Sequence, residues 1–171
     1  MDDTLQLSTY IIDGKHRSEL MLIPKTTTEE RTATIITVAN IALKHEIPMA
    51  IFSLELSNAR ILAHVLADSA EPDVIKALEA KHANGQVQQR LDAIKGKPVY
   101  LDDSPTLSIG ELKEKASKLV KEHGVRVILI DYLELMEEYE TVDLNAILNA
   151  IIAKELGVQL IVLSSKLNIK R

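Results

Sequence analysis

Residues 127–131 read Val127-Ile128-Leu129-Ile130-Asp131, an aliphatic stretch that stops abruptly at a carboxylate. It ends the apolar run Val125–Ile130, which is too short for a helix and lacks the apolar–polar alternation of a strand with one wet face. Runs of this kind fit strands buried on both faces, as in a parallel sheet. Four others share the character: Glu19–Ile23, Met49–Leu54, Pro98–Leu101 and Val158–Leu163. Between the runs the apolar period lengthens to that of helices. Thr32–Lys44 is apolar nearly all round, as for a helix deep in the fold. Ile109, Leu112, Ala116, Leu119 and Val120 form one stripe, with Gly124 where a C-terminal glycine belongs; Leu144, Ile147, Leu148, Ile151 and Ile152 form another, closed by Gly157. Asn58–Ala67, Pro72–Ala83 and Gln86–Ile94 read as further helix, with Pro72 at a first helical position and Asn84-Gly85 as a turn. Strands alternating with helices predict an α/β fold: a mainly parallel sheet of about five strands joined by right-handed crossovers. The 171 residues are of a length for one domain, spanning 1–171.

Composition removes several functional classes. There is no Cys, hence no disulfide scaffold, thiolate nucleophile or thiolate zinc site. The six glycines (Gly14, Gly85, Gly96, Gly110, Gly124, Gly157) stand alone, so none of them pairs into a glycine-rich phosphate loop. Lys and Arg number 20 against 25 Asp and Glu, a net charge of −5. With few aromatics to stack bases, that balance disfavours autonomous nucleic-acid binding. Met1-Asp2-Asp3-Thr4 is unlike a secretory signal, and no apolar run approaches the roughly 20 residues of a membrane span. The expectation is a soluble, cytoplasmic chain without membrane contact. The five histidines are dispersed, and Ser164-Ser165 lack the flanking glycines of a nucleophile elbow.

Ligands of open α/β sheets bind beyond the carboxyl ends of the strands. Pro24-Lys25-Thr26-Thr27-Thr28-Glu29-Glu30-Arg31-Thr32 follows the first run, Ser53-Leu54-Glu55 the second, and Asp102-Asp103-Ser104-Pro105 the third. Asp131-Tyr132 ends the fourth and Ser164-Ser165-Lys166 the fifth. Carboxylates from three strands are thus expected at one edge. A hydrophobic strand ending in Asp has the form of a Walker B element, whose carboxylate holds a nucleotide's magnesium.

Three segments in this order resemble the DnaB-type replicative DNA helicases. They are Ala50-Ile51-Phe52-Ser53-Leu54-Glu55-Leu56-Ser57, Tyr100-Leu101-Asp102-Asp103-Ser104-Pro105-Thr106-Leu107-Ser108, and Val127-Ile128-Leu129-Ile130-Asp131-Tyr132-Leu133-Glu134-Leu135-Met136. Ala153-Lys154-Glu155-Leu156-Gly157-Val158 extends the likeness, which runs over about residues 17–171. It implies the three-layer RecA-like (P-loop NTPase) fold of the helicase C-terminal domain. Residues 1–16 are then an N-terminal extension, and the helicase N-terminal domain is absent. The resemblance further implies that Glu55 is the catalytic position that polarises the attacking water, and that Arg31, Thr32 and Asp131 are nucleotide-binding positions. Thr32 and Asp131 would stand on the magnesium side.

The phosphate loop departs from that family. Arg31 stands where the lysine would be, Glu30 at the second glycine and Lys25 at the first; Thr32 alone is retained. Glycines let backbone N–H groups wrap a phosphate at a helix N-terminus, whereas Glu29 and Glu30 place like charge there. Thr27 or Thr28 then reads as the cap of a helix that no longer holds phosphate. Lys166 replaces a glutamine of the family, and Glu134, Glu137, Glu138, Glu140 and Asp143 form an acidic stretch that would repel a DNA backbone.

Three functions compete. The first is a degenerate, non-hydrolysing DnaB-like domain, a binding or regulatory module linked to DNA replication. It needs no cofactor and docks on a protein partner or on copies of itself through a RecA-type surface. The alternative is a functional ATP-binding helicase or ATPase fragment with an atypical phosphate loop, using ATP and Mg²⁺. The third is a Mg²⁺-dependent carboxylate site of Asp102, Asp103 and Asp131 at the sheet edge, with Lys166 nearby.

Overall fold

A computed structural model describes residues 3–67 and 96–166. Helix α1 (Asp3–Ile12) leads into β1 (Leu20–Pro24), α2 (Thr28–His45), β2 (Met49–Ser53) and α3 (Asn58–Ala67). After β3 (Val99–Asp102) come α4 (Ile109–His123), β4 (Val127–Asp131) and a 3₁₀ turn, Leu133–Leu135. Helix α5 (Leu144–Leu148) continues as a π-helical stretch, Asn149–Lys154, before β5 (Gln159–Ser164). The helices expected over 72–83 and 86–94 lie outside the described residues.

The strands form one all-parallel sheet in the order β1-β5-β4-β2-β3. Its two faces carry separate cores, and the period of two in each strand divides the side chains between them. Met49, Ile51, Val127, Leu129, Ile161 and Leu163 pack with α1, α2 and α3 residues such as Ile11, Ile35 and Ile61. Ala50, Phe52, Ile128, Ile130, Leu160 and Val162 face the other way, against Leu112, Ala116, Leu148 and Ile152. Every residue of β2, β4 and β5 is buried, which is why their sequences show no polar alternation.

Helix α2 starts ahead of its Thr32–Lys44 apolar run, at the cap the sequence offers, and the N-terminal segment packs into the fold. Helix α2 begins at Thr28, four residues before Thr32, because Thr27 caps it: its hydroxyl accepts the Glu30 N–H at 3.1 Å. Thr27-Thr28-Glu29-Glu30 has the sequence pattern of a capping box, and the Thr27 hydroxyl also donates to the Glu30 carboxylate at 3.2 Å. Residues 1–16, an extension on the sequence reading, include α1, which buries Leu7, Tyr10 and Ile11. The carbonyls at its C-terminal end have no helical partners of their own. Gln159 donates to the Tyr10 carbonyl at 2.6 Å and Arg126 to that of Ile11 at 3.0 Å.

Strand β1 is the sheet's outer strand beside β5. Lys25 N–H donates to the Ser164 carbonyl, and Glu19 C=O accepts from Leu160. The backbone groups of the odd-numbered residues therefore face β5, and those of Leu20, Leu22 and Pro24 face the side on which no described strand pairs. Proline sits there without costing a ladder bond. No helix among the described residues is long and apolar enough to cross a membrane.

Candidate functional site

Only Lys25, Thr26 and Thr27 join β1 to α2 at the carboxyl edge of the sheet. Beside this turn, β2 and β4 end in register, with Ser53 opposite Asp131. The Leu54 N–H donates to the Asp131 carbonyl at 2.7 Å and the Leu56 N–H to the Ser53 hydroxyl at 3.0 Å. Those two bonds fix the turn that presents Glu55.

Arg31, one turn into α2, is 5% exposed. Its Nε and Nη2 donate to the two oxygens of Glu55, each at 3.1 Å, in a forked ion pair. Nη1 donates to the Lys25 carbonyl at 2.9 Å, and Nη2 also reaches the Thr28 hydroxyl at 3.3 Å. Thr28 in turn donates to Glu55 at 2.6 Å. The guanidinium carbon lies 4.2 Å from the centre of the Tyr132 ring. The peptide joining Asp131 to Tyr132 is cis.

Asp131 is fully buried behind this pair, and neither carboxylate oxygen has a hydrogen-bond partner among the described residues. Its closest cation is Arg31, with Nε 3.8 Å from Oδ1. Burial, then the like charge of Glu55, push its pKa up to about 7 against the opposing pull of Arg31. Burial also pushes Glu55 upward, but the hydrogen bonds from Arg31 and Thr28 outweigh it and hold that carboxyl below its ordinary value. For Arg31 burial favours loss of the proton; bonding and attraction to Glu55, with Asp131 behind, win and raise its pKa.

The structure thus brings Arg31, Glu55 and Asp131 together. Thr32, next along the helix, lines a cavity of about 500 Å³ between α2 and α3 with Glu29, Ile36, Leu56, Arg60 and His64; Thr28 lines it too and so stands between that cavity and the pair. Glu55, Asp102, Asp103 and Asp131 all stand at the carboxyl edge, as expected from three strands, but Asp102 and Asp103 do not join Asp131 in the carboxylate cluster also expected. Strand β2 lies between β3 and β4, so the ends of those strands are two strand spacings apart, about 10 Å. Asp102 accepts from the Ser104 N–H at 2.9 Å and pairs with Lys115 at 3.0 Å. Burial raises its pKa, but those partners together hold it below the ordinary value. Asp103 accepts the first N–H of α3, from Asn58, at 3.0 Å. Among the described residues no three His, Cys, Asp or Glu side chains are grouped to hold a metal ion.

The acidic stretch after β4 proves largely architectural. Glu134 accepts from the Ser164 hydroxyl and from the Ser165 N–H at 3.0 Å, Glu138 from the Ile109 N–H at 2.9 Å, and Asp143 caps α5 through the Ala146 N–H. Glu137 and Glu140 are exposed. Lys166 Nζ lies 5.0 Å from the Tyr139 ring centre. Sequence reasoning missed Tyr132, Thr28 and the Lys25 carbonyl as partners of Arg31. The spacing of Thr28 and Arg31, one helical turn apart, is the signal that places both on one face.

Residues 4–170 match the family model described as the DnaB-like helicase C terminal domain. The chain is 29% identical over 162 residues to the replicative DNA helicase DnaB of Nostoc sp. (strain PCC 7120 / SAG 25.82 / UTEX 2576), covering 88% of this chain and 18% of that protein. It is 28% identical over 167 residues to the replicative DNA helicase DnaC of Bacillus subtilis (strain 168), covering 88% of this chain and 36% of that one. The chain therefore spans little more than a third, or less, of these relatives. Among solved structures, one described as an ATPase domain superposes with a TM-score of 0.66 at 21% identity, covering 86% of this chain and 57% of that chain. A DnaB-like replicative helicase, described with its interactions with primase, gives 0.63 at 23%, covering 87% and 39%. These likenesses show a RecA-like helicase ATPase fold.

Proposed function

This chain belongs to the DnaB-like helicase C-terminal domain family, and we propose that within it the chain is a non-hydrolysing binding or regulatory module linked to DNA replication. The observation that carries this reading is the forked pair of Arg31 and Glu55, 3.1 Å at both prongs. By family position Arg31 would meet a phosphate and Glu55 would polarise water. Each is instead committed to the other.

The family implies ATP and magnesium, and the residues present do not fit them. A phosphate loop needs flexible backbone between strand and helix, and here three residues span the gap. Glu29 and Glu30 lie in the first turn of α2 and suit its dipole, but they repel an incoming anion. One such repulsion at about 4 Å is on the order of 1 kcal/mol in water and about 4 kcal/mol near a protein surface. The Glu30 N–H, a donor that a phosphate would use, is already taken by Thr27. Thr32 lines the α2–α3 cavity, whose lining does not include Asp131. The module's partner, on this reading, is another protein or a second copy of the chain, met through a RecA-type surface. One structural neighbour is described as interacting with primase, a statement about that helicase.

A single observation favours a second reading, an ATPase with an atypical loop: the buried Asp131 carboxylate, which lacks a hydrogen-bond partner among the described residues. Isothermal titration with ATP and Mg²⁺ separates the two. The non-hydrolysing module gives no binding tighter than about 100 μM, roughly −5.5 kcal/mol. Tighter binding that Asp131→Ala abolishes establishes the ATPase reading instead.

A further inference from the structure

The groups around Arg31 answer a guanidinium on every side that one can be read. Two N–H bonds meet one carboxylate, a third N–H meets the Lys25 carbonyl, the Thr28 hydroxyl bridges cation and carboxylate, and the guanidinium carbon stands over the Tyr132 ring. The Asp131 carboxyl group stands behind, 3.8 Å from Nε. The partners come from four separate places: the turn after β1, the start of α2, the turn after β2 and the end of β4. An ammonium is a point charge and cannot satisfy a forked carboxylate, an in-plane carbonyl and a stacked ring together. The two prongs on Glu55 and the separate bond to the Lys25 carbonyl depend on the guanidinium's spread of donors as much as on its charge.

We propose that these groups form a guanidinium-binding site which Arg31 fills from within its own chain, and which accepts another guanidinium when that side chain is removed. The inference rests on the reading that no triphosphate occupies this place, yet its test involves no nucleotide. In Arg31→Ala, Glu55 and Asp131 lose their cation, so the melting temperature falls. Methylguanidinium chloride in the millimolar range then refills the site. At about ten times its dissociation constant it raises the melting temperature of Arg31→Ala by about 3–5 °C. Methylammonium chloride at equal ionic strength does not, and the unsubstituted protein, already filled, responds to neither. Adding Glu55→Gln to Arg31→Ala removes the response. Equal effects of both salts, or none from methylguanidinium, overturn the proposal.

If Arg31→Ala does not fold, substitutions at Tyr132 decide in the otherwise intact chain. Tyr132→Phe keeps the ring face and leaves the melting temperature within about 1 °C, whereas Tyr132→Leu lowers it by about 2–4 °C. Equal losses in both overturn the stacked-guanidinium site.

Discussion

Two carboxylate–cation pairs lie at the same carboxyl edge of the sheet, and they behave differently. Arg31 and Glu55 meet at 3.1 Å with side chains 6% and 20% exposed; Lys115 and Asp102 meet at 3.0 Å with 37% and 29% exposed. The contact distances are nearly equal. What differs is the solvent around them and the fork of the guanidinium. Behind the buried pair lies a second carboxylate, Asp131, whose pKa is pushed up to about 7, while at the exposed pair Asp102 is held below its ordinary value. Distance alone therefore says little about what an ion pair contributes; burial sets the cost of losing one partner.

That contrast can be broken most sharply at Arg31. Arg31→Ala leaves Glu55 and the buried Asp131 without their cation, and stability should fall by about 3–5 kcal/mol in urea unfolding. A loss under about 1 kcal/mol would put the buried pair in the same class as the exposed one.

The next effect is on pH dependence. Folded Asp131 holds its proton up to about pH 7, whereas its ordinary pKa is 3.8. A raised folded pKa contributes stability that is present below the unfolded value and is lost as pH rises through the folded value. Glu55 has the opposite sign: its contribution is lost as pH falls through its lowered pKa. Between about pH 4.5 and 7 Asp131 dominates, so stability should decline by a few kcal/mol across that window. Asp131→Asn should remove that decline. Unfolding midpoints at about pH 5 and pH 7.5 measure it, and parallel slopes in the two proteins would refute the assignment.

Smaller still is the cap. Thr27→Ala should cost about 1 kcal/mol by loss of the bond to the Glu30 N–H. At the exposed pair Lys115→Ala should cost less, about 0–1 kcal/mol, and the loss should shrink further in about 0.5 M salt. A salt-insensitive loss of about 2 kcal/mol there would erase the distinction between the two pairs.

The strands are legible because double burial writes itself as an unbroken aliphatic run, and all five lie within about two residues of their expected positions. The helix α3 and the αL cap at Gly124 are equally plain. The start of α2 is harder, because the likeness to a phosphate loop draws attention to Thr32 while the capping box at Thr27–Glu30 marks the true beginning. Leu7, Tyr10 and Ile11 carry the i, i+3, i+4 spacing that marks the buried face of α1, but a single such triplet is weak evidence on its own. The partnership of Arg31 and Glu55 is beyond the reach of local pattern. The two residues lie 24 positions apart on neighbouring elements, and their meeting is decided by side-chain direction and sheet order. Asp102 misleads for the same reason, since a strand-end aspartate looks alike whether β2 intervenes or not.

Pro24 carries one more consequence. An extended segment laid alongside β1 would find both an N–H donor and a carbonyl acceptor at Leu20 and Leu22 but only the acceptor at Pro24, so its ladder would lose one bond just before the turn. The sheet could be lengthened sideways while the carbonyl that holds Arg31 stayed where it is.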